Sequence, residues 1–525
     1  MLYDLSGTPG SHQSIEASVC VIGAGPAGLL AAKKLSDAGK PVIVLESGGV
    51  KPNSHFKSLN NINIQAATYK RAIDGRVRSL GGTSTVWGGC LLPLAEHDFE
   101  KRDYIGLEAW PITKNDIAHY QADIEKIFGV DSTSYEDGIF SSHRLSENLP
   151  RSAYGLKTRW PKFPTFKNYN VADILKDDIY KSRKLDVWTS ATVHDFDINV
   201  MNGRVVSVSA KNFNGKTLTV FAENFIIACG TLEATRLLLL LDRKVDQGFF
   251  SKYNILGHYF HDHLKIVVGR LCNRETPASQ YPFMPFVVNK TRRGLHFETS
   301  FEMQKRLQIG SGYLTMTRRV FDTPLSDNSN DLVYKRFIGF KTETRNCIEN
   351  LTPKLYWNHI INNKFMNKHS DIVVEMRVEQ VPTFSSTVSL SESKDALGIP
   401  ELQLHWLRTS EDEKTMRAVI QMGKEYWDSM SFSRAWPIKW FLDQNLCDDL
   451  IEISEDTCHP AGSARMGNSP SNSVVGRDLR CHAVQNLLVA SAAVFPTSGS
   501  ANPTMTVMQI AALAAENVIY NRFLK

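Results

Sequence analysis

Two stretches hold side chains suited to moving a proton. In TCHPAGSARMG (457–467) a lone imidazole, His459, stands before a Pro-Ala-Gly turn, and an unperturbed pKa of about 6.5 lets such a ring act as a base at neutral pH. In GSANPTMT (499–506) Asn502 precedes Pro503 and an apolar run. Its amide could donate to a developing alkoxide, or it could cap a helix with Pro503 in the first turn. By residue type alone, the cap and a packed histidine are the stronger readings. A further pair, His261 and His263 in FHDHLKI (260–266), shares a face only in a strand. No further ligand cluster accompanies the pair, so no metal site is expected.

Two glycine-rich stretches could hold a cofactor. SVCVIGAGPAGLLAAKKLSDAGKPVIVLESGG (18–49) reads as a strand over Val19–Ile22, a helix ending near Gly39, and a second strand over Val42–Leu45 that closes on Glu46 and Ser47. Gly23, Gly25 and Gly28, with Pro26 and Ala27 between them, have the spacing of a tight turn, a backbone approach to pyrophosphate, and close helix-to-strand packing. The pyrophosphate would meet the unpaired N–H groups of the helix N-terminus. Glu46 can accept from both ribose hydroxyls and would repel a 2′-phosphate, which favours an FAD or NAD adenosine over NADP. RVRSLGGTSTVWGGC (76–90) is the second stretch. Gly81, Gly82, Gly88 and Gly89 would let its backbone pass close to a planar ring system; a tight structural loop is an equal reading.

These residues need a scaffold that brings distant segments together. From residue 185 the chain alternates β-type runs with Asn-Gly turns at 202–203 and 214–215, a meander signature. An apolar strand, Phe225–Ala228, then enters a Cys229-Gly230-Thr231 turn and a helix. A strand over Leu487–Ala490, a Gly/Ser/Pro loop and a helix with Val507, Ala511, Ala514 and Val518 on one face follow near the C-terminus. Such late strand-turn-helix pieces must return to the first sheet to bury themselves. The expectation is an α/β fold with a discontinuous Rossmann-type nucleotide domain (15–100, 185–270 and 450–525). A mixed, sheet-containing substrate domain (101–184 and 271–449) would cap it. The polar run 325–336 reads as a solvated surface loop.

Composition narrows the partners. The 525 residues are 42% hydrophobic and 22% charged, and 60 Lys+Arg against 55 Asp+Glu leave a net +5 with no basic block. A nucleic-acid partner is not expected, and a small molecule is. Eight cysteines without a C-x-x-C pair indicate neither a zinc site nor a disulfide framework. No secretory leader is evident, and the longest aliphatic run, 237–241, is too short to span a bilayer, so a cytoplasmic protein is expected.

From about Ala17 onward the chain resembles the glucose-methanol-choline family of flavin oxidoreductases. Five blocks carry the resemblance in order: VIGAGPAGLLAA…VIVLESG, RVRSLGGTSTVWGG, FIIACGTLEATRLLL, HPAGSARMG and SANPTMTVMQIAALAAENV. GGTSTVW, GSANPTMT and the sheet-forming stretch 379–406 look most like the pyranose oxidase and sugar or polyol dehydrogenase branch, although Ser386-Thr387-Val388 stands where relatives often read Ser-Arg-Val.

The resemblance implies FAD. It adds Arg78, Thr83, Ser84, Trp87, Cys90, Val193, Cys229, Gly230, Thr231, Ala493, Pro503 and Thr504 to the cofactor-binding residues. Val86 stands where pyranose oxidases tether the ring through histidine, so the FAD would be non-covalent. His459 would be the base, and Asn502 would face the substrate hydroxyl beside it. The implied reaction passes a hydride from a CH–OH carbon to flavin N5 and the hydroxyl proton to His459. The expected substrate is a secondary ring hydroxyl of a sugar, glycoside or polyol, with oxygen, a quinone or a redox protein as final acceptor. A hydroxynitrile-lyase-type activity, or oxidation of a non-sugar alcohol, is the alternative.

Overall fold

The computed structural model describes residues 1–65, 69, 71–142, 149–245, 248–250, 252–272, 282–320, 370–441 and 449–522. The polar run 325–336, Cys347 and Cys447 lie outside the described residues.

The nucleotide half is built on an eight-stranded sheet. Its parallel part runs in the order Leu2–Asp4, Leu185–Thr189, Val42–Leu45, His12–Ile22, Thr217–Ile227, with Leu487–Val489 beside the upper end of the last. The late strands do return to the first βαβ unit: Cys20, Val21 and Ile22 oppose Phe225, Ile226 and Ile227, which in turn oppose Leu487, Leu488 and Val489. An unbroken Val-Cys-Val-Ile run suits this place, because a parallel strand in the middle of a sheet is covered on both faces. All four residues are buried. The strand is longer than expected, starting at His12, because its half-exposed first part pairs with residues 217–222. Both Asn-Gly turns form, with Gly203 and Gly215 at φ +59° and +73°, and they join the antiparallel strands Thr192–Asn199, Arg204–Lys211 and Thr217–Ile227.

The C-terminal helix, Thr504–Tyr520, packs on the first helix, Pro26–Asp37, and is buried on nearly every side. The one-sided apolar face expected for it is incomplete. Residues from elsewhere cover the rest: Gln509 donates to the Ile117 carbonyl, and the Tyr120 hydroxyl donates to Glu516. Trp110, Ile117, Tyr120, Ile124 and Phe128 thus belong to the nucleotide-side core.

A second, antiparallel sheet forms the other core. Its main path is Ile438–Trp440, His263–Leu271, Ser370–Glu379, Gly312–Val320, His296–Thr299, Leu156–Arg159. Strand alternation gives it two unlike faces. Leu264, Ile266, Val268, Leu314, Val374, Met376 and Val378 share one core with Met416, Val419 and Ile420 of the helix Ser410–Ser429. A Cβ on Gly423 would meet Leu314 Cδ1 at 2.1 Å, so that helix lies close against the sheet. The other face carries His263, Lys265, Glu375, Arg377, Glu379, Tyr313 and Glu298, in a register that sets Lys265, Arg377 and Tyr313 side by side. The stretch 379–406 contributes a hairpin, Thr387–Lys394 with Pro400–His405, which pairs with Ile62–Gln65.

Candidate active site

The glycine turn has the geometry a pyrophosphate needs. Gly23 has φ +107°, and a Cβ there would meet Ala228 O at 2.7 Å. One on Gly28 would meet Gly23 O at 1.9 Å, so helix and strand touch as expected. Gly25 differs, since a Cβ there meets nothing within 4 Å. It is the N-cap of Pro26–Asp37 and makes no side-chain cap bond, so the helix N-terminus faces open space with its N–H donors uncapped. Glu46 is buried and accepts from Ala24 N at 2.9 Å and Gly48 N at 2.8 Å. Burial pushes its pKa up, against those two donors and the charge of Arg78. Each oxygen keeps a further lone pair for a ribose hydroxyl.

In the second loop, three of the four glycines pack against the protein and one does not. Gly81, Gly82 and Gly89 make room for the protein itself: their Cβ atoms would meet Asn170 Oδ1 at 2.0 Å, Gly25 Cα at 2.9 Å and the Tyr169 ring at 2.8 Å. Only Gly88 faces open space, together with the exposed Thr83 and Val86, the latter 59% exposed. Ser84 is buried, with its Oγ donating to Gly81 O and accepting from Val171 N. The Trp87 indole donates to Tyr169 O. Arg78 braces the segment, because its guanidinium is engaged by Glu233, Asn60, Ser47 and Leu59 O. Ser47 is also bonded to Thr192, beside the buried Val193. Ala27 and Ala493 are buried, whereas Pro26, Cys90, Cys229, Pro503 and Thr504 are half-buried. Gly230 is exposed, and the Thr231 hydroxyl donates to Pro460 O, tying this turn to the His459 loop.

His459 sits in a loop fixed from behind by Asp262. The Asp262 carboxylate accepts from His459 N at 3.0 and 3.1 Å, Thr457 N at 3.3 Å, Thr457 Oγ1 at 3.0 Å, His263 N at 2.6 Å and the Tyr69 hydroxyl. Burial, with the charge of Asp456 second, pushes Asp262 up to about 7. Cys458 takes φ +63°, a strained value for a residue with a Cβ, and so turns His459 out of the loop. Gly462 at φ +92° lies against Tyr259 O and the His261 ring.

His459 Nδ1 lies 2.9 Å from His263 Nδ1 and 2.9 Å from Thr457 Oγ1, while Nε2 lies 3.1 Å from Asn502 Nδ2. Burial, then the neighbouring His263 ring and the positive charges of Arg377, Arg71 and Lys265, holds its pKa well below the usual histidine value. The ring is neutral at neutral pH. The cap expected of Asn502 does not form: the helix starts at Thr504 with Pro503 as its N-cap, and the amide turns to His459.

Sequence reasoning missed His263, Asp262 and Thr457. His261 is structural, bonded to Tyr259 O and Ser498 Oγ, but His263 reaches both Gly499 O at 2.7 Å and His459. The shared-face spacing of FHDHLKI was the available signal. Asp262, His263 and His459 bring candidate ligand atoms within 4.8 Å of one another. Both nitrogens of each ring already have hydrogen-bond partners, so the cluster is wired for protons.

Residues 382–511 match the family described as GMC oxidoreductase, and residues 16–58 match an FAD-binding domain. The chain is an FAD-dependent oxidoreductase acting on CH–OH donors, and its C-terminal part is similar to the GMC oxidoreductases. It is 21% identical to an "Alcohol dehydrogenase [acceptor]" of Pseudomonas putida over 95% of each chain. It is 23% identical to a 2-methyl-1,2-propanediol dehydrogenase of Mycolicibacterium austroafricanum, over 96% of this chain and 95% of the relative. An oxygen-dependent choline dehydrogenase of Staphylococcus aureus is 23% identical over 96% and 94%. Among solved structures, the fold is shared with pyridoxine 4-oxidase from Mesorbium loti, with a TM-score of 0.59 and 16% identity over 97% of this chain and 100% of that one. Among the described residues, no helix is long and apolar enough to cross a membrane.

Proposed function

We propose that this chain is a member of the GMC family that oxidises a polyhydroxylated ring (a sugar, glycoside or cyclic polyol) at a secondary hydroxyl to a ketone, with His459 as the base. The observation that supports the substrate class is the charged face of the second sheet, on the side that bears His263. Arg377 is bonded to Glu375, Arg159 to Glu298 and Arg102 to Glu379. The Arg377 side chain remains 26% exposed. His296 stacks on Tyr313 at 3.8 Å, and its buried Nδ1 has no hydrogen-bond partner. Covering the exposed part of Arg377 with an apolar substrate would strip its hydration without return. Hydroxyl groups both donate and accept, so a polyol replaces the lost water bonds. Because the ions are paired with each other, the wall does not select for net charge on the ligand. The diol named for one relative is in keeping with a substrate that carries neighbouring hydroxyls.

Bound FAD supplies the acceptor for the hydride that leaves the carbinol carbon. Gly25 and the helix behind it would hold the pyrophosphate, Glu46 the ribose, and Thr83, Val86 and Gly88 would border the ring. The chain handles the proton: His459 Nε2 takes it from the hydroxyl as the carbonyl forms, and the Asn502 amide donates to the oxygen. At 3.1 Å there is no room for an oxygen between these two side chains. The hydroxyl therefore binds by taking over the bond that the amide makes to the imidazole.

The test is anaerobic mixing of holoenzyme with sugars, glycosides, cyclitols, simple diols and choline, followed by product analysis. Bleaching of the flavin by ring polyols with a keto product is expected. Bleaching confined to choline or to aliphatic alcohols removes the polyol. Cyanohydrin cleavage without any bleaching turns the reading to a lyase.

A further inference from the structure

The rings of His263 and His459 dictate each other's protons. Gly499 O can only accept, so the His263 Nε2 that lies 2.7 Å away carries a hydrogen. His263 is buried and neutral, its pKa lowered to about 4 chiefly by burial. A neutral imidazole has one N–H, so its Nδ1 is a lone pair. That lone pair lies 2.9 Å from His459 Nδ1, which must be the donor. A second chain of bonds ends at the same atom. The Asp262 carboxylate accepts the Thr457 hydroxyl proton at 3.0 Å, so Thr457 Oγ1 turns a lone pair toward His459 Nδ1 at 2.9 Å. Two acceptors, one set by a backbone carbonyl and one by a carboxylate, face a single nitrogen.

We infer that His263 and Thr457 are positioning residues that hold His459 as the Nδ1–H tautomer, leaving Nε2, beside Asn502, as the one nitrogen able to take a proton. The choice of tautomer is made by what the far nitrogen is bonded to. The catalytic part of this inference rests on the proposed base role of His459. When Nε2 accepts the alcohol proton, the ring becomes an imidazolium whose Nδ1–H is already held, so no bond behind it has to rearrange. Gly499 and Asn502 lie in one loop, so the segment that presents the amide also sets the tautomer opposite it. That loop is pinned: Gly499 has φ +53°, and a Cβ there would meet the Asp98 carboxyl at 2.5 Å.

The decisive measurement is nitrogen NMR of FAD-loaded protein carrying 15N-histidine, with the His459 signals assigned by their loss in His459→Gln. Between pH 6.5 and 8 the expected result is a protonated Nδ1 and a bare Nε2. A proton on Nε2 overturns the inference, and because this uses the unaltered chain, no folding defect can obscure it. In anaerobic flavin reduction, His263→Leu and Thr457→Val should each lose about 10-fold and the double variant about 10²- to 10³-fold. His263→Gln, which can still accept from His459 and donate to Gly499 O, should recover most of the loss. A double variant with the parent's rate and pH profile would also overturn it. If His459→Ala itself reduces flavin normally, the base role fails, while the nitrogen shifts still report the tautomer.

Discussion

The two ends of the site are built in opposite ways. At the nucleotide end the ligand space is made by missing side chains: Gly25 leaves it open, and Gly23 and Gly28 let strand and helix close around it. At the substrate end it is made by side chains that are present, ions and rings on alternate positions of several strands. A site of the first kind tolerates no added atom, whereas one of the second kind loses function when a polar atom is taken away.

The sharpest break in this contrast is Gly28→Val. A Cβ meeting a carbonyl at 1.9 Å forces helix from strand, and the purified protein should carry no FAD and melt lower. Yellow protein with parental melting would deny the close packing. His459→Ala should do the reverse, keeping FAD and fold while anaerobic reduction falls about 10²- to 10⁴-fold.

The acid side of the pH profile sharpens the comparison further. His459 lies well below the usual histidine pKa, so kcat/KM should stay flat down to pH 6.5 and fall only below it. A limb near 7 would point instead to Asp262, which burial pushes up to about that value. Stability follows the same sign. His261 and His263 titrate at about 4 when folded and near 6.5 when unfolded, so the unfolded chain gains protons first as pH falls. Melting temperature should therefore drop between pH 6.5 and 4, and thermal scans across that window check it. The smallest effect is on the stability of Asn502→Ala. A helix cap would cost about 0.5–2 kcal/mol, but this amide makes no cap bond, so the rate should drop with the melting temperature unchanged.

The same contrast explains what could be read from the sequence. The nucleotide turn is contiguous, so Gly23, Gly25, Gly28 and Glu46 stand in a spacing that topology cannot scramble. His459 and Asn502 were each legible as residues, but only the family resemblance set them side by side, because a helix cap and a substrate amide look alike before a proline. The charged wall was illegible for another reason. Arg159, Glu298, Tyr313, Glu375 and Arg377 come from four strands, and only the register aligns them. Gly81, Gly82 and Gly89 could be read either way, because a glycine demanded by neighbouring protein atoms is indistinguishable, in sequence, from one demanded by a ligand.

The pairing of Phe225–Ile227 with Leu487–Val489 also sets a timetable for biosynthesis. The first strand-helix-strand unit is complete by residue 45, yet the last parallel strand of its sheet is synthesised more than 400 residues later. At about 5–20 residues per second that gap is roughly 20–90 s on the ribosome. Throughout it, the apolar side of Pro26–Asp37 that the C-terminal helix will cover stays exposed. The sheet and the helix pair beneath it are therefore complete only once residues 487–520 have been made.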